Sequence, residues 1–392
     1  MDKLRSTWLF NIRGDVLAGI TITLALIPDS IAFSFIAGVN PMIGLFSTVI
    51  LMLIISFTGA RPAMASAAAG SMAVLMTPLV LAHGVQYLFA ATILTGVLML
   101  LMGFLRMGNL MRFMPSAVVT GFINSLAILI FLNQLKLFIH GTLLMYVIVI
   151  VTLLNVYLLP LLIKAIPSPL IAVAAMTVIT AIFHLPLLKI KDQAHIVTTL
   201  PIPGLPDIPF TWETLWIIAP FAISLAIVGY TESLLTQDII DKMTATKTDK
   251  NRELKGLGFA NTITGFFGGM AGCALVAESI INVKIGGRGR LSTLVGGATL
   301  LALILLFGQV VNIIPVAALV GVMLMICYEI MDWKSLLQVQ SRPVRDTTIM
   351  VATVIASIWT NNLAIGVFVG VLLSYFIHLS VSKRLKLNKN ME

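Results

Sequence analysis

The chain has 392 residues, of which 59% are hydrophobic and 10% charged, with a mean hydropathy of +1.04 and a formal net charge of +9. These values lie outside the range of soluble globular domains and within that of polytopic membrane proteins. They exclude a soluble catalytic domain, and the placement of the basic residues, all but three of which orient the chain in a membrane, excludes nucleic acid as the partner.

A spanning helix needs roughly 20 apolar residues. The sequence predicts fourteen such segments, near 15–36, 42–58, 63–81, 86–104, 115–135, 143–163, 167–185, 215–240, 256–270, 273–284, 291–307, 313–328, 346–360 and 363–381, several of them short or interrupted. Residues 1–14 are too brief a charged stretch, and the apolar run behind them too long, for a cleaved signal peptide, so the first span is expected to remain in the protein. In it, Ile22-Thr23-Leu24-Ala25 is followed by Pro28 and Asp29. The eighth segment echoes this with Ile223-Ser224-Leu225-Ala226, then Gly229 and Glu232. An ionisable group in hydrocarbon costs at least about 2.5 to 3.5 kcal/mol, so both carboxylates are candidates for function.

Residues 189–213 are the one long polar interruption, and their Pro201-Ile202-Pro203-Gly204-Leu205-Pro206 cluster cannot be helix interior. They separate a first repeat, 15–188, from a second, 214–381, with 382–392 as a cytoplasmic tail. Seven spans per half force the second copy to run inverted, as in alternating-access carriers. Fourteen spans put both termini on one side. Of the 25 lysines and arginines, all but Lys136, Lys189 and Lys191 fall on that side, which predicts cytoplasmic termini in an inner (plasma) membrane.

The weakest spans are the third of each half. One follows Gly59-Ala60-Arg61-Pro62 and reads Met64-Ala65-Ser66-Ala67-Ala68-Ala69-Gly70-Ser71; the other follows Gly268-Gly269-Met270-Ala271-Gly272 and reads Cys273-Ala274-Leu275-Val276-Ala277-Glu278-Ser279. Small residues let backbones approach closely. A half-length helix starting in mid-membrane aims its unpaired N–H groups and positive end at whatever lies before it. Two such ends facing each other make an anion site without lysine or arginine; small-residue packing seams would give the same pattern. Ser66, Ser71 and Ser279 can donate to an oxyanion, although serines in packed spans often bond their own helix.

Glu232 and Thr236 are four apart and share a helix face with Gly229. They offer oxygen ligands to a small cation, or form a structural polar pair. Asp29, after Pro28, is either a coupling carboxylate or a cap at a helix kink. Gly286-Gly287-Arg288-Gly289-Arg290 lacks the strand–helix setting of a nucleotide loop and is read as an anchor and hinge. Cys273 and Cys327 are read as small apolar residues, with no disulfide. His83, His140, His184, His195 and His378 show no metal-ligand spacing, so no enzyme is expected.

Several stretches together resemble the SulP family of inorganic anion permeases. They are Asp15-Val16-Leu17-Ala18-Gly19 leading to Ile27-Pro28, Ala37-Gly38-Val39-Asn40-Pro41 with Gly44-Leu45, and Glu232-Ser233-Leu234-Leu235-Thr236. Asn251-Arg252-Glu253-Leu254 with Gly258, Gly268 to Gly272, and Asn282-Val283 through Gly286-Gly287-Arg288 to Arg290-Leu291-Ser292 complete the set. The resemblance implies an all-α polytopic membrane fold of fourteen segments in 7+7 inverted repeats. A core domain (segments 1–4 and 8–11) moves against a gate domain (5–7 and 12–14), through which such proteins form homodimers. It implies a substrate site between segments three and ten, here Ser66, Ala69, Gly70, Ser71, Ala274, Leu275, Val276, Glu278 and Ser279. It also implies cation coupling at Glu232, Thr236 and Asp29, with sodium at Glu232 and Thr236 as in sodium-driven bicarbonate members. Two departures stand out. Members usually carry a cytoplasmic STAS domain after the last span, whereas this sequence stops at Glu392, and many have an arginine in segment ten where Glu278 stands.

The expectation is a secondary active transporter of a small inorganic anion, bicarbonate or sulfate, coupled to sodium or a proton, with membrane lipid as its surroundings and no cofactor. The rivals are a nucleobase permease of the same architecture, using Glu232 and Glu278 on a planar ring, and a passive anion channel.

Overall fold

A computed structural model describes residues 7–138, 141–162, 167–193, 201–337 and 343–389. Parts of the expected N-terminus, linker and tail (1–6, 194–200 and 390–392) lie outside the described residues, as do His140, His195, Lys164 and Arg342. Among the described residues there are fourteen helices of ten or more residues. The first half holds α1 (Ile12–Ala37), α2 (Pro41–Thr58), strand β1 (Ser66–Ala68), α3 (Gly70–His83), α4 (Val85–Phe104), α5 (Ser116–Phe138), α6 (Leu143–Leu162) and α7 (Ser168–Ile182). The second repeats the order with α8 (Trp212–Met243), α9 (Lys250–Phe266), strand β2 (Gly272–Ala274), α10 (Val276–Ile285), α11 (Arg290–Val311), α12 (Val316–Ile330), α13 (Val344–Thr360) and α14 (Leu363–Lys389).

Local chemistry fixes the helix ends. Gly38, at φ 74, closes α1 in the left-handed conformation, with its N–H on the Phe35 carbonyl. Asn40 then accepts from the Met42 N–H, and Pro41 opens α2. Asp249 caps α9 by accepting from Asn251 and Arg252 N–H groups at 2.8 and 3.3 Å. The sequence offered a helix kink at Pro28, yet α1 runs unbroken through Pro28, as α8 does through Pro220 and Gly229. Packing on both sides of these buried helices supports the backbone that proline leaves unpaired.

Two groups of helices result. The core is α1–α4 with α8–α11, and the gate is α5–α7 with α12–α14. The contacts repeat between halves: α1 packs on α11 as α8 packs on α4, and α1 touches α7 as α8 touches α14. Where α4 meets α9, a Cβ on Gly258 would lie 2.5 Å from the Leu100 nitrogen, so the backbones meet where only glycine fits.

Loops assigned to the cytoplasmic side bond to one another. The Arg61 guanidinium donates to Asp241 (3.1 Å), Thr246 (2.6 Å) and Thr244 (2.8 Å). Burial lowers its pKa from the usual arginine value, with Asp241 pulling the other way. Oε2 of Glu253 accepts from the Ala60 and Arg61 N–H groups at 2.6 and 2.8 Å. The Arg290 guanidinium donates to the Ser56 carbonyl at 2.7 Å. The glycine-rich turn, read as an anchor and hinge, is held by the first helix: Asp15 accepts from the Arg288 and Gly289 N–H groups at 2.7 and 2.9 Å, and Asn11 donates to the Gly286 carbonyl at 2.6 Å.

Candidate functional site: the paired half-spans

The sequence predicted helix alone for the third span of each half. Instead, each carries a short strand before its helix, and the two strands pair antiparallel, Ser66 opposite Ala274, Ala67 opposite Cys273 and Ala68 opposite Gly272. The Leu275 N–H extends the pairing to the Ala65 carbonyl at 2.9 Å. A Cβ on Gly272 would lie 2.7 Å from the Ala67 carbonyl carbon, so this register requires glycine there.

Two isolated strands in the middle of a membrane leave their outer edges unpaired, which hydrocarbon does not tolerate. Side chains from neighbouring helices complete them. Thr48 accepts from the Ala68 N–H at 3.2 Å and bonds the Ser30 hydroxyl at 2.7 Å. Ser233 accepts from the Ala274 N–H at 3.0 Å. Asn261 grips Gly272 on both sides, accepting from its N–H at 2.8 Å and donating to its carbonyl at 3.0 Å. Ser47 accepts from the Met270 N–H at 2.8 Å.

From this ladder α3 and α10 depart, and neither Ala69 nor Leu275 supplies a side-chain cap. The first intrahelical bonds run from Ala73 to the Ala69 carbonyl and from Ser279 to the Leu275 carbonyl. The N–H groups of Gly70, Ser71 and Met72, and of Val276, Ala277 and Glu278, therefore have no acceptor in their own helix. Two positive helix ends flank one strand pair.

Glu232, in the middle of α8 and 8% exposed, faces this ladder. Oε2 of its carboxylate accepts from the Ser71 hydroxyl and, at 3.2 Å, from the Cys273 thiol. Thr236, one turn on, donates to the Glu232 carbonyl at 2.8 Å and shares that hydrogen with the Ala274 carbonyl at 3.2 Å. Its lone pairs remain for a cation. Among the described residues no three His, Cys, Asp or Glu side chains converge as metal ligands, so a cation here would rest on one carboxylate with hydroxyl and backbone oxygens, a donor set suited to a hard ion.

Ser66 is wholly buried, and its hydroxyl has no hydrogen-bond partner. Ala69 and Gly70 are buried beside it. A Cβ on Gly70 would lie 2.7 Å from Phe33 and 3.0 Å from Ile130, so the gate helix α5 comes close here. Asp29 and Glu278 bring their carboxyl groups within hydrogen-bonding reach of each other across α1 and α10, and Glu329 of α12 stands nearby on the gate side.

Some expected donors are already committed. The Ser71 hydroxyl is given to Glu232, and the Ser279 hydroxyl donates to the Leu275 carbonyl at 2.5 Å while accepting from the Ala65 N–H at 3.0 Å. The Ala274 and Leu275 N–H groups serve Ser233 and Ala65. Val276, at the first helical position, keeps its N–H outside the ladder. Cys273, read as a plain apolar residue, touches the carboxylate. Ser233, Asn261, Ser47 and Thr48 were not singled out from the sequence, because single polar residues in apolar helices carry no spacing signal.

Inverted repeats meeting at crossed half-spans define an alternating-access type of membrane carrier. The Sulfate permease family matches residues 12–143 and 137–353, and the chain belongs to that family. The Bacillus subtilis (strain 168) protein YbaR, whose name carries sulfate transport as a provisional assignment, is 50% identical over 389 residues, covering 99% of this chain and 81% of that protein. The bicarbonate transporter BicA of Picosynechococcus sp. (strain ATCC 27264 / PCC 7002 / PR-6) is 27% identical over 400 residues, covering 92% and 69%. The solved transmembrane domain of a cyanobacterial BicA superposes with a TM-score of 0.81 at 25% identity, covering 92% of this chain and 97% of that one.

Proposed function

We propose that this protein is a secondary active transporter of a small inorganic anion, bicarbonate or sulfate, working by alternating access. The anion binds between the N-terminal ends of α3 and α10, and sodium or a proton at Glu232 and Thr236 neutralises the site. The observation that carries this reading is the uncapped start of both half-helices on either side of one strand pair, with Glu232 against it. An anion entering beside Glu232, Asp29 and Glu278 meets repulsion unless at least one of these carboxyl groups is protonated or cation-bound. Neutralisation therefore lets the anion bind, and the neutral core domain then moves past the gate.

Relatives named for sulfate and for bicarbonate transport support the substrate class. They speak against the nucleobase reading. The positive-inside pattern supports an inner-membrane location with cytoplasmic termini, and contact through the gate helices would form a homodimer. Uptake of labelled bicarbonate and of labelled sulfate into proteoliposomes, with sodium and proton gradients imposed separately, tests the proposal. Saturable uptake that follows one gradient is the expected result, and uptake of neither anion with uracil bound instead would overturn it.

A further inference from the structure

A cavity of about 470 Å³ lies on the seam between core and gate, walled by α1, α7 and α11. Its floor is Pro28, Ile31, Val173 and Ile304, all buried, and its rim includes Val178 and Phe307, which are 55% and 57% exposed. Thr177 is its single polar side chain, and that hydroxyl is spent on the Val173 carbonyl at 2.7 Å. Water would find no partner inside. The lining runs along α7 from Leu170 to Ile182, which is roughly 18 Å at 1.5 Å per residue and about the depth of one leaflet of a ~30 Å hydrocarbon layer. Its apolar rim is continuous with the exposed apolar faces of α7 and α11, so an acyl chain enters it sideways without leaving hydrocarbon.

The mouth carries charge. After α7 the chain returns to the cavity's end, where the Ile190 N–H donates to the Ile314 carbonyl and the Lys191 N–H to the Asn312 carbonyl, each at 3.1 Å. Ile313 and Ile314 line the cavity. Lys189 and Lys191, two of the three basic residues assigned to the side opposite the termini, thus stand at the cavity's end together with Asp192, whose carboxylate accepts from the Lys189 N–H at 2.8 Å, leaving a net positive charge where a lipid headgroup would lie.

We propose that an anionic phospholipid seats one acyl chain between α1, α7 and α11, with its phosphate at Lys189 and Lys191. Because α1 and α11 belong to the core and α7 to the gate, movement of one group against the other reshapes the cavity, and a bound chain favours the arrangement seen here. The binding stands independently of the transport reading; only its effect on transport rests on that reading.

The test uses the full chain in vesicles of phosphatidylcholine, with and without phosphatidylglycerol, each type doped with its own lipid bearing a mid-chain photoreactive group. Crosslinks are mapped by mass spectrometry. Labelling of 170–182 and 303–314 should exceed that of the exposed α13 face around Ile355 several-fold in phosphatidylglycerol, and should fall in Ala174→Phe and separately in Gly308→Leu. A Lys189→Gln/Lys191→Gln variant should remove the preference for phosphatidylglycerol. Labelling no greater than on α13, or equal in the two lipids, overturns the proposal. Each variant is first checked for a monodisperse size-exclusion profile, and the lysine variant alters only exposed or half-buried positions, so the headgroup arm survives a folding failure of either filled variant.

Discussion

Ser71, in the first turn of α3, donates its hydroxyl hydrogen to Oε2 of Glu232 on α8. The start of one half-span is therefore tied to the carboxylate that would carry the coupling ion. The donor stabilises the charged carboxylate, so it competes with a proton or sodium for the same group.

Replacing Ser71 by alanine removes this competition. Hydrogen bonds to charged groups contribute about 1.5–3 kcal/mol, and each 1.4 kcal/mol is tenfold in affinity. Ser71→Ala should shift half-saturation by the driving cation to lower concentration by roughly ten- to a hundredfold, and Ser71→Thr should restore it. Uptake rates measured against sodium and against proton concentration check this.

Asn261 holds Gly272 by both its N–H and its carbonyl. In Asn261→Ala both groups stay buried without partners, at about 1–3 kcal/mol each. Thermal unfolding in detergent should show a stability loss of roughly 2–6 kcal/mol. Transport should fall further than in a variant of equal stability made elsewhere in the core.

The ion pair of Arg61 with Asp241 has side chains 5% and 13% exposed. Removing one partner of a buried pair costs about 3–5 kcal/mol, more than replacing both by apolar groups. Arg61→Ala should be strongly destabilising, and Arg61→Met combined with Asp241→Leu less so. A double-mutant cycle by denaturant unfolding reads the coupling.

Much of the architecture was legible because each spanning helix needs a long apolar run and leaves charge in its loops. The break at 189–213, the two echoing stretches around Leu24 and Leu225, and the basic loops sufficed for fourteen spans in two inverted halves. The strands were not legible. Ser66-Ala67-Ala68 and Gly272-Cys273-Ala274 are too short for a period-two pattern, and each exists only because the other pairs with it. The same holds for the hydroxyls that finish the ladder: Thr48 and Ser233 look like ordinary polar residues in apolar helices until the strands are beside them. Glu232 was visible because a carboxylate in hydrocarbon is costly, whereas the Cys273 thiol that joins it was hidden by its resemblance to an apolar residue.

The central claim is that Glu232 couples a cation to anion movement. Its most direct measurement compares the native protein with Glu232→Gln in proteoliposomes, following labelled bicarbonate and sulfate under imposed sodium or proton gradients and, separately, anion exchange without a gradient. The account predicts that Glu232→Gln, permanently neutral, still binds and exchanges the anion but no longer accumulates it. Normal anion binding together with undiminished gradient-driven accumulation in Glu232→Gln would contradict it.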